Sequence, residues 1–239
     1  MTGDTRSKDP NVPRWYGRRR GHKLRPQRQH LVDTLLPKLS LTPPADGGLL
    51  DPVVAFGDGV SDLWLEIGFG GGEHLAAQAA ANPGTGFIGC EPFINGVASL
   101  LAEIDRLGLT NIRIFDDDAR LMLKALPDGC LGRVFVLFAD PWPKKRHHRR
   151  RFIAPDTLDQ LARLMKDGAE LRFASDHMGY VRWALSRLTA HADFQWTAAG
   201  PADWRTRPAD AVETRYEEKA LQKGLSCVYL SFSRRLRVV

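Results

Sequence analysis

Short apolar runs at residues 63–67, 86–90, 112–115, 133–138 and 170–174 alternate with stretches of helical period. That alternation restricts the fold more than any other feature of the chain. Runs of this length read as strands buried on both faces, and helical segments between them supply the crossovers that parallel neighbours require. Phe93, Val97, Leu100, Leu101 and Ile104 recur at helical spacing ahead of Gly108, a residue type suited to ending a helix. Leu158, Leu161, Leu164 and Met165 do the same between Pro155 and Gly168, and Tyr180, Trp183, Ala184, Leu185 and Leu188 mark a further helix. With closing strands at 194–197 and 226–232, the expected fold is α/β: a doubly wound sheet of about seven strands, mostly parallel, with helices on both faces.

A length of 239 residues with 43% hydrophobic content supports one well-packed domain. Residues 1–30 hold nine Lys/Arg against two Asp/Glu, a surplus of 7 in a chain whose net charge is +6, so the remainder carries −1. The expectation is a basic arm on a nearly neutral body: 1–61 as a partly disordered arm and connecting segment, 62–239 as the packed domain. Residues 1–29 hold too little apolar surface to offset their ordering entropy and are expected to stay mobile until something anionic binds them. A short helix is expected over 28–39. The stretch 41–62, with Pro43, Pro44, Gly47, Gly48, Pro52, Gly57 and Gly59, reads as a loop-rich connection.

A neutral body attracts polyanions only through local basic segments, so nucleic acid is the leading partner class, ahead of an anionic membrane surface. Cys90, Cys130 and Cys227 are widely spaced and unpaired in sequence, which suggests neither a zinc site nor a disulfide framework. No segment approaches the roughly 20 apolar residues of a membrane span, and the Arg-rich N-terminus lacks the features of a secretory signal. A cytoplasmic protein with no metal is expected. In the absence of a long apolar surface stripe it is expected to be a monomer without an obligatory protein partner, a homodimer remaining open.

The first apolar run continues as Leu63-Trp-Leu-Glu66-Ile-Gly68-Phe-Gly70-Gly-Gly72, an acid at the strand end followed by glycines. Glycine permits tight turns and close approach of backbone to a ligand, and open α/β sheets bind ligands beyond the carboxyl ends of their strands. A dinucleotide fingerprint would need a third glycine where Glu73 stands, and an acid there has the wrong sign for a pyrophosphate. The order Glu66-Gly68-Gly70-Gly72 instead resembles the first motif of Rossmann-like S-adenosylmethionine-dependent methyltransferases. Glu91 ends the second strand, placed to accept from a ribose diol. Asp118, after the third, is either an acceptor for an adenine amino group or the cap of the next helix.

The fourth strand ends at Asp140, followed by Pro141-Trp142-Pro143 and then by Lys144 to Arg151, a nearly unbroken run of cations. The prolines stiffen the bend and hold the carboxylate in place, and Trp142 either packs or offers a stacking face to a base. Asp-Pro-Trp departs from the D/N-P-P-aromatic motif of amino-methylating enzymes by its missing second proline. Methylation of an exocyclic amine needs acceptors for a proton that must leave. A ring nitrogen with an in-plane lone pair attacks directly and becomes positive, which one carboxylate can stabilise.

Glu66 to Gly72, Glu91, Asp118-Ala119, Phe138-Ala-Asp140-Pro-Trp142-Pro-Lys144, Ala174-Ser-Asp176 and Thr214-Arg-Tyr-Glu217 occur in this order. Together they identify the chain as similar to the bacterial tRNA (guanine-N7)-methyltransferases, from about Trp15 to the C-terminus. The resemblance implies a class I methyltransferase domain over 62–239. It implies that Glu66, Gly68, Gly70, Glu91, Asp118 and Asp140 hold S-adenosylmethionine, with Asp140 also the catalytic group. It further implies that Lys144, Asp176, Thr214, Arg215, Tyr216 and Glu217 hold the guanosine, nucleotide 46 of the tRNA variable loop in this family. Arg146, His147, His148, Arg149, Arg150 and Arg151 are implied as the RNA-contacting segment. Here Ala139 replaces a proline common in the family, and Arg215-Tyr216 stands where Lys-Phe is common.

Read from the residues alone, Lys144 to Arg151 is either a solvated charged loop or a phosphate-binding segment that positions RNA without reading its sequence. Asp176 either accepts from guanine N1–H and N2–H or caps the helix beginning near His177. Thr214 to Glu217 suits a loop closing over a base, and Arg18, Arg19, Arg20 and Lys23 form either a tRNA grip or a solubilising tail. Two rival functions remain open: methylation of an exocyclic amine of RNA or protein, and non-catalytic tRNA binding on a retained cofactor fold.

Overall fold

The computed structural model describes residues 16–57 and 59–237. In chain order the elements are α1 (Pro26–Thr34), α2 (Leu36–Leu39), α3 (Pro52–Phe56), β1 (Asp62–Ile67), α4 (Glu73–Ala81), β2 (Thr85–Cys90), α5 (Ile94–Leu107), β3 (Ile112–Phe115), α6 (Ala119–Ala125) and β4 (Leu131–Leu137). After a 3-10 turn at Lys145–Arg150 follow α7 (Pro155–Leu164), β5 (Met165–Ser175), α8 (Met178–Ala190), β6 (Phe194–Trp196), α9 (Ala202–Arg205), α10 (Arg215–Gln222) and β7 (Val228–Arg234).

The seven strands form one sheet in the order β3-β2-β1-β4-β5-β7-β6. β1 to β5 are parallel, and β7 runs antiparallel to both β5 and β6. Successive strand residues point to opposite faces, so Leu63, Leu65 and Ile67 of β1 join Val134, Val136, Leu158, Leu161, Tyr180 and Leu188 in one core layer. Phe87, Ile112 and Ile114 join Leu75, Val97, Leu100, Leu101 and Ile104 in the other. The chain winds outward from β1 through β2 to β3, then returns to place β4 on the other side of β1. The crevice at the carboxyl ends of β1 and β4 is where such a sheet takes a ligand.

The expected helices and strands are present, with informative shifts. The helix expected over 28–39 is two, interrupted at Leu35, because Pro37 supplies no N–H and its ring crowds the preceding turn. The stretch 41–62 contains α3. The helix expected to run to Gly168 ends at Leu164, because Met165 pairs with Leu131 and opens β5. Leu31, Leu36 and Leu39 are buried in the second core layer, so the packed body begins well before Asp62. The expectation of a mobile arm also needs correction for residues 16–25. Ile94 N–H donates to Arg19 O at 3.0 Å, Gly21 N–H to Asn95 Oδ1 at 2.8 Å, and Asn95 Nδ2 to His22 O at 2.8 Å, while Arg19 pairs with Asp117. Trp15 and the rest of the arm lie outside the described residues. Among those described, no helix is long and apolar enough to cross a membrane.

Candidate active site

A cleft of about 390 Å³ opens over the carboxyl ends of β1, β2 and β4, within the roughly 300–1,000 Å³ typical of small-molecule sites. Gly68, Gly70, Glu91, Asp118, Asp140 and Tyr216 line it, so residues from five segments separated in sequence meet at one place. The turn after β1 works because Gly70 takes a φ of 57°, which a side chain would strain. The Gly70 N–H donates to Glu91 Oε2 at 2.9 Å, and the N–H of Phe93 donates to Glu91 Oε1 at 2.9 Å. Glu91 is thus buried with both oxygens bonded to backbone, and each oxygen keeps a second lone pair for a ligand hydroxyl. Burial pushes its pKa up, against the lowering effect of those two N–H groups. A side chain at Gly96 would place Cβ 2.1 Å from Gly70 O, so α5 is pressed directly against the glycine turn.

Asp118 does cap α6: its Oδ1 accepts from Arg120 N–H at 3.0 Å, and Arg120 Nε binds the same oxygen at 3.0 Å. It is also a wall of the cleft, so the two readings of this residue coexist. Asp140 stands at the mouth of the cleft and reaches solvent. It has no hydrogen-bond or ion-pair partner among the described residues, and the protein packed around it pushes its pKa above the ordinary carboxylate value. On either side of it, Phe138 and Trp142 take φ of 52° and 43°. For bulky residues this left-handed conformation costs on the order of 1–3 kcal/mol each and clusters at functional sites. The prolines were expected to stiffen this bend, but nothing in the sequence signals the positive φ.

Glu66 is not on the cleft wall. It is buried beneath the glycine turn, its Oε2 2.7 Å from His74 Nδ1, and His74 is itself 1% exposed. The cause is the pleat: Glu66 points to the face that α4 covers, and α4 brings His74 in its first turn. The segment expected as a loop over the base is instead the start of α10. Thr214 caps that helix by accepting from Glu217 N–H at 3.2 Å. Glu217 is 2% exposed and accepts from Arg207 Nη1 at 3.1 Å and from the Tyr229 hydroxyl. Arg215 pairs with Glu73 at 2.7 Å, and only Tyr216 of this group enters the cleft, half-exposed with its ring over Gly70. Asp176 lies just beyond β5 and does not cap α8; the His177 ring does, accepting from Tyr180 N–H at 3.1 Å.

Lys144, Arg146 and Arg149 are exposed, while His147 and His148 are half-buried. The basic run is not uniform, because its last two arginines turn inward. Arg150 lies 4.0 Å over the Tyr16 ring and 4.9 Å over Trp142, and Arg151 is buried. Tyr16, Gly17 and Arg18 form a further wall of the cleft. Sequence reasoning missed this wall because the Arg19–Asp117 pair that secures it joins residues 98 apart with no local signature. Among the described residues no cluster of His, Cys, Asp and Glu is arranged to hold a metal.

A sheet wound in this order, with a glycine turn after β1 and acids beyond β2, β3 and β4, is the class I, Rossmann-like methyltransferase fold. A variant of a 16S rRNA (adenine-N1)-methyltransferase from Catenulisporales acidiphilia, solved with its cosubstrate SAM, shares this fold. It superposes with a TM-score of 0.50 at 16% identity, over 80% of this chain and 94% of its own. Residues 61–230 match the family described as "Putative methyltransferase". A tRNA (guanine-N7)-methyltransferase of Rhodospirillum rubrum is 60% identical over 94% of this chain and 89% of its own. One from Paramagnetospirillum magneticum is 50% identical over 94% of each. The chain belongs to the tRNA (guanine-N7)-methyltransferase family.

Proposed function

We propose that this protein transfers a methyl group from S-adenosylmethionine to N7 of a guanosine in tRNA, nucleotide 46 of the variable loop. The observation that carries the reading is the convergence of Glu91, Asp118 and an unneutralised Asp140 on the glycine-lined cleft. The cleft suits the cofactor. Glu91 keeps lone pairs for the ribose hydroxyls, Asp118 stands beyond β3 for the adenine amino group, and Gly68 and Gly70 let the backbone approach closely. When bound there, S-adenosylmethionine supplies an electrophilic methyl on a positively charged sulfur.

Guanine N7 offers an in-plane lone pair and needs no base. As it takes the methyl, the S–CH3 bond breaks and the sulfur leaves as the neutral thioether of S-adenosylhomocysteine. Positive charge spreads into the imidazole ring of guanine, and the ionised carboxylate of Asp140 stabilises that charge at short range. Most of the rate comes from holding the two reactants in line. Asp176 reads the guanine edge, and Tyr216 closes the base against the glycine turn. Thr214, Arg215 and Glu217 act one step back by fixing the start of α10. Lys144, Arg146 and Arg149, with His147 and His148, meet the phosphates. Glu66 supports the glycine turn from beneath, through His74. The work is done by the methyltransferase domain together with residues 16–18, which complete the cleft wall, by a cytoplasmic monomer.

The test is methyl transfer from radiolabelled S-adenosylmethionine to unmodified tRNA, with nucleoside analysis of the product and mapping of the labelled nucleotide. The expected result is 7-methylguanosine at a single variable-loop position, lost in Asp140→Ala. Label in a different nucleoside would overturn the chemistry, and label at another guanosine would overturn the position.

A further inference from the structure

The basic run after Asp140 ends on an arginine unlike its neighbours. Arg146 and Arg149 are exposed, whereas Arg151 is 4% exposed. Its Nε donates to Pro141 O at 2.7 Å and its Nη1 to Gly179 O at 3.3 Å. The guanidinium lies 5.2 Å over the Tyr180 ring and 4.9 Å over Trp183. Both rings are anchored in turn to Ile153, whose N–H donates to the Tyr180 hydroxyl at 3.2 Å and whose carbonyl accepts from Trp183 Nε1 at 2.6 Å. One buried cation therefore ties the residue that follows Asp140 to the first turn of α8.

The bend needs such a tie. Phe138 and Trp142 flank Asp140 at positive φ, and bulky residues stay there only where surrounding contacts enforce it. Between them, among the described residues, the side-chain bond to the backbone is that of Arg151, on the carbonyl of Pro141, the residue after Asp140. The remaining anchors act at the ends of the bend: Phe138 N–H on Ala174 O at 2.8 Å, the His148 ring 3.4 Å from Pro143 O, and the packing of Trp142 on Tyr16, His147 and Arg150.

We propose that Arg151 is a positioning residue for methyl transfer, setting the Asp140 carboxylate through Pro141, and that it does not contact tRNA. The inference rests on the reading of Asp140 as the catalytic group. Arginine suits the task because a planar fork can hold two carbonyls while stacking on rings, which a lysine ammonium cannot do.

Steady-state kinetics with tRNA over a range of salt would compare wild type with Arg151→Gln, Arg151→Lys, Arg149→Ala, Asp140→Asn and the Arg151→Gln/Asp140→Asn double variant. Each would be assayed well below its melting temperature. Arg151→Gln is expected to lower kcat by ~10²-fold, the scale of a small misplacement of a reacting group, with KM for tRNA and its salt dependence unchanged. Arg151→Lys is expected to lie between, and carries the same comparison if the Gln variant does not fold. Arg149→Ala is expected to raise KM and reduce the salt slope by about 1, as for a lost phosphate contact. In the Asp140→Asn background the second change should add little, because residues acting as one unit are not additive. A raised KM and shallower salt slope with kcat retained in the Arg151 variants would overturn the proposal, as would a kcat loss fully additive with that of Asp140→Asn. Wild-type kcat in Asp140→Asn alone would instead overturn the reading of Asp140.

Discussion

Asp140 concentrates the tension between folding and function at the scale of one residue. The protein packed around it raises its pKa even though its carboxylate reaches solvent, so folding disfavours the charged form that the chemistry uses. The sign follows from linkage: a carboxyl whose folded pKa lies above its unfolded value costs stability once pH has risen through that interval, and costs none below it. Asp140→Asn is therefore expected to melt at a higher temperature than wild type at pH 7, with the gain fading as pH falls through the carboxylate range. Thermal denaturation of both proteins from pH 8 to pH 4 checks this, and a lower melting point for the variant at pH 7 would refute it. Gly96 makes a different demand, because the atom its side chain would meet is the backbone oxygen of Gly70, which cannot swing aside. Gly96→Ala should cost ~1–3 kcal/mol of stability, as overpacking does, and should weaken S-adenosylmethionine binding measured by calorimetry. Unchanged affinity would mean that the glycine turn tolerates displacement.

At the scale of elements, α10 links the cleft to β7, the strand next to the sheet edge. Its cap at Thr214 sets where the helix begins, and Glu217 on its inner face is fastened to Arg207 and to Tyr229 of β7. That fastening, with the Arg215–Glu73 pair, holds the turn of α10 that carries Tyr216 over Gly70. Tyr229→Phe removes one donor from a buried carboxylate, a loss of roughly 1–3 kcal/mol for a group left under-satisfied. It is expected to lower the melting temperature and to raise KM for tRNA more than it lowers kcat. A stability loss with unchanged KM would separate α10 from substrate binding.

Over the whole molecule, the described part of the basic arm, from residue 16 onward, belongs to the catalytic cleft. Residues 16–18 wall the cleft and residues 19–22 clip to Asp117, Ile94 and Asn95. Deletion of residues 1–22 is accordingly expected to weaken S-adenosylmethionine binding by about tenfold, or ~1.4 kcal/mol, in calorimetry performed without tRNA. A truncated protein with wild-type affinity would return the arm to a purely electrostatic role.

The sheet, its helices and the acids beyond β2, β3 and β4 were legible in the sequence, because buried strands and amphipathic helices impose periods that survive any tertiary context. The glycine turn was legible for the same local reason. What the periodicity could not carry was the direction in which individual polar groups face. Glu66 reads as a cofactor ligand but pairs with His74, Thr214 to Glu217 read as a loop but begin a helix, and Arg151 reads as one more phosphate contact but is buried. The docking of the arm belongs with them, since Arg19 and Asp117 are brought together only by the finished fold. Sequence by itself determined the sheet strands, most of the helices and the residues available to the site, through local spacing and side-chain chemistry. Tertiary structure alone decided which of those residues meet the cleft and which brace it, because long-range pairing and burial are set by the packing of segments that carry no record of one another.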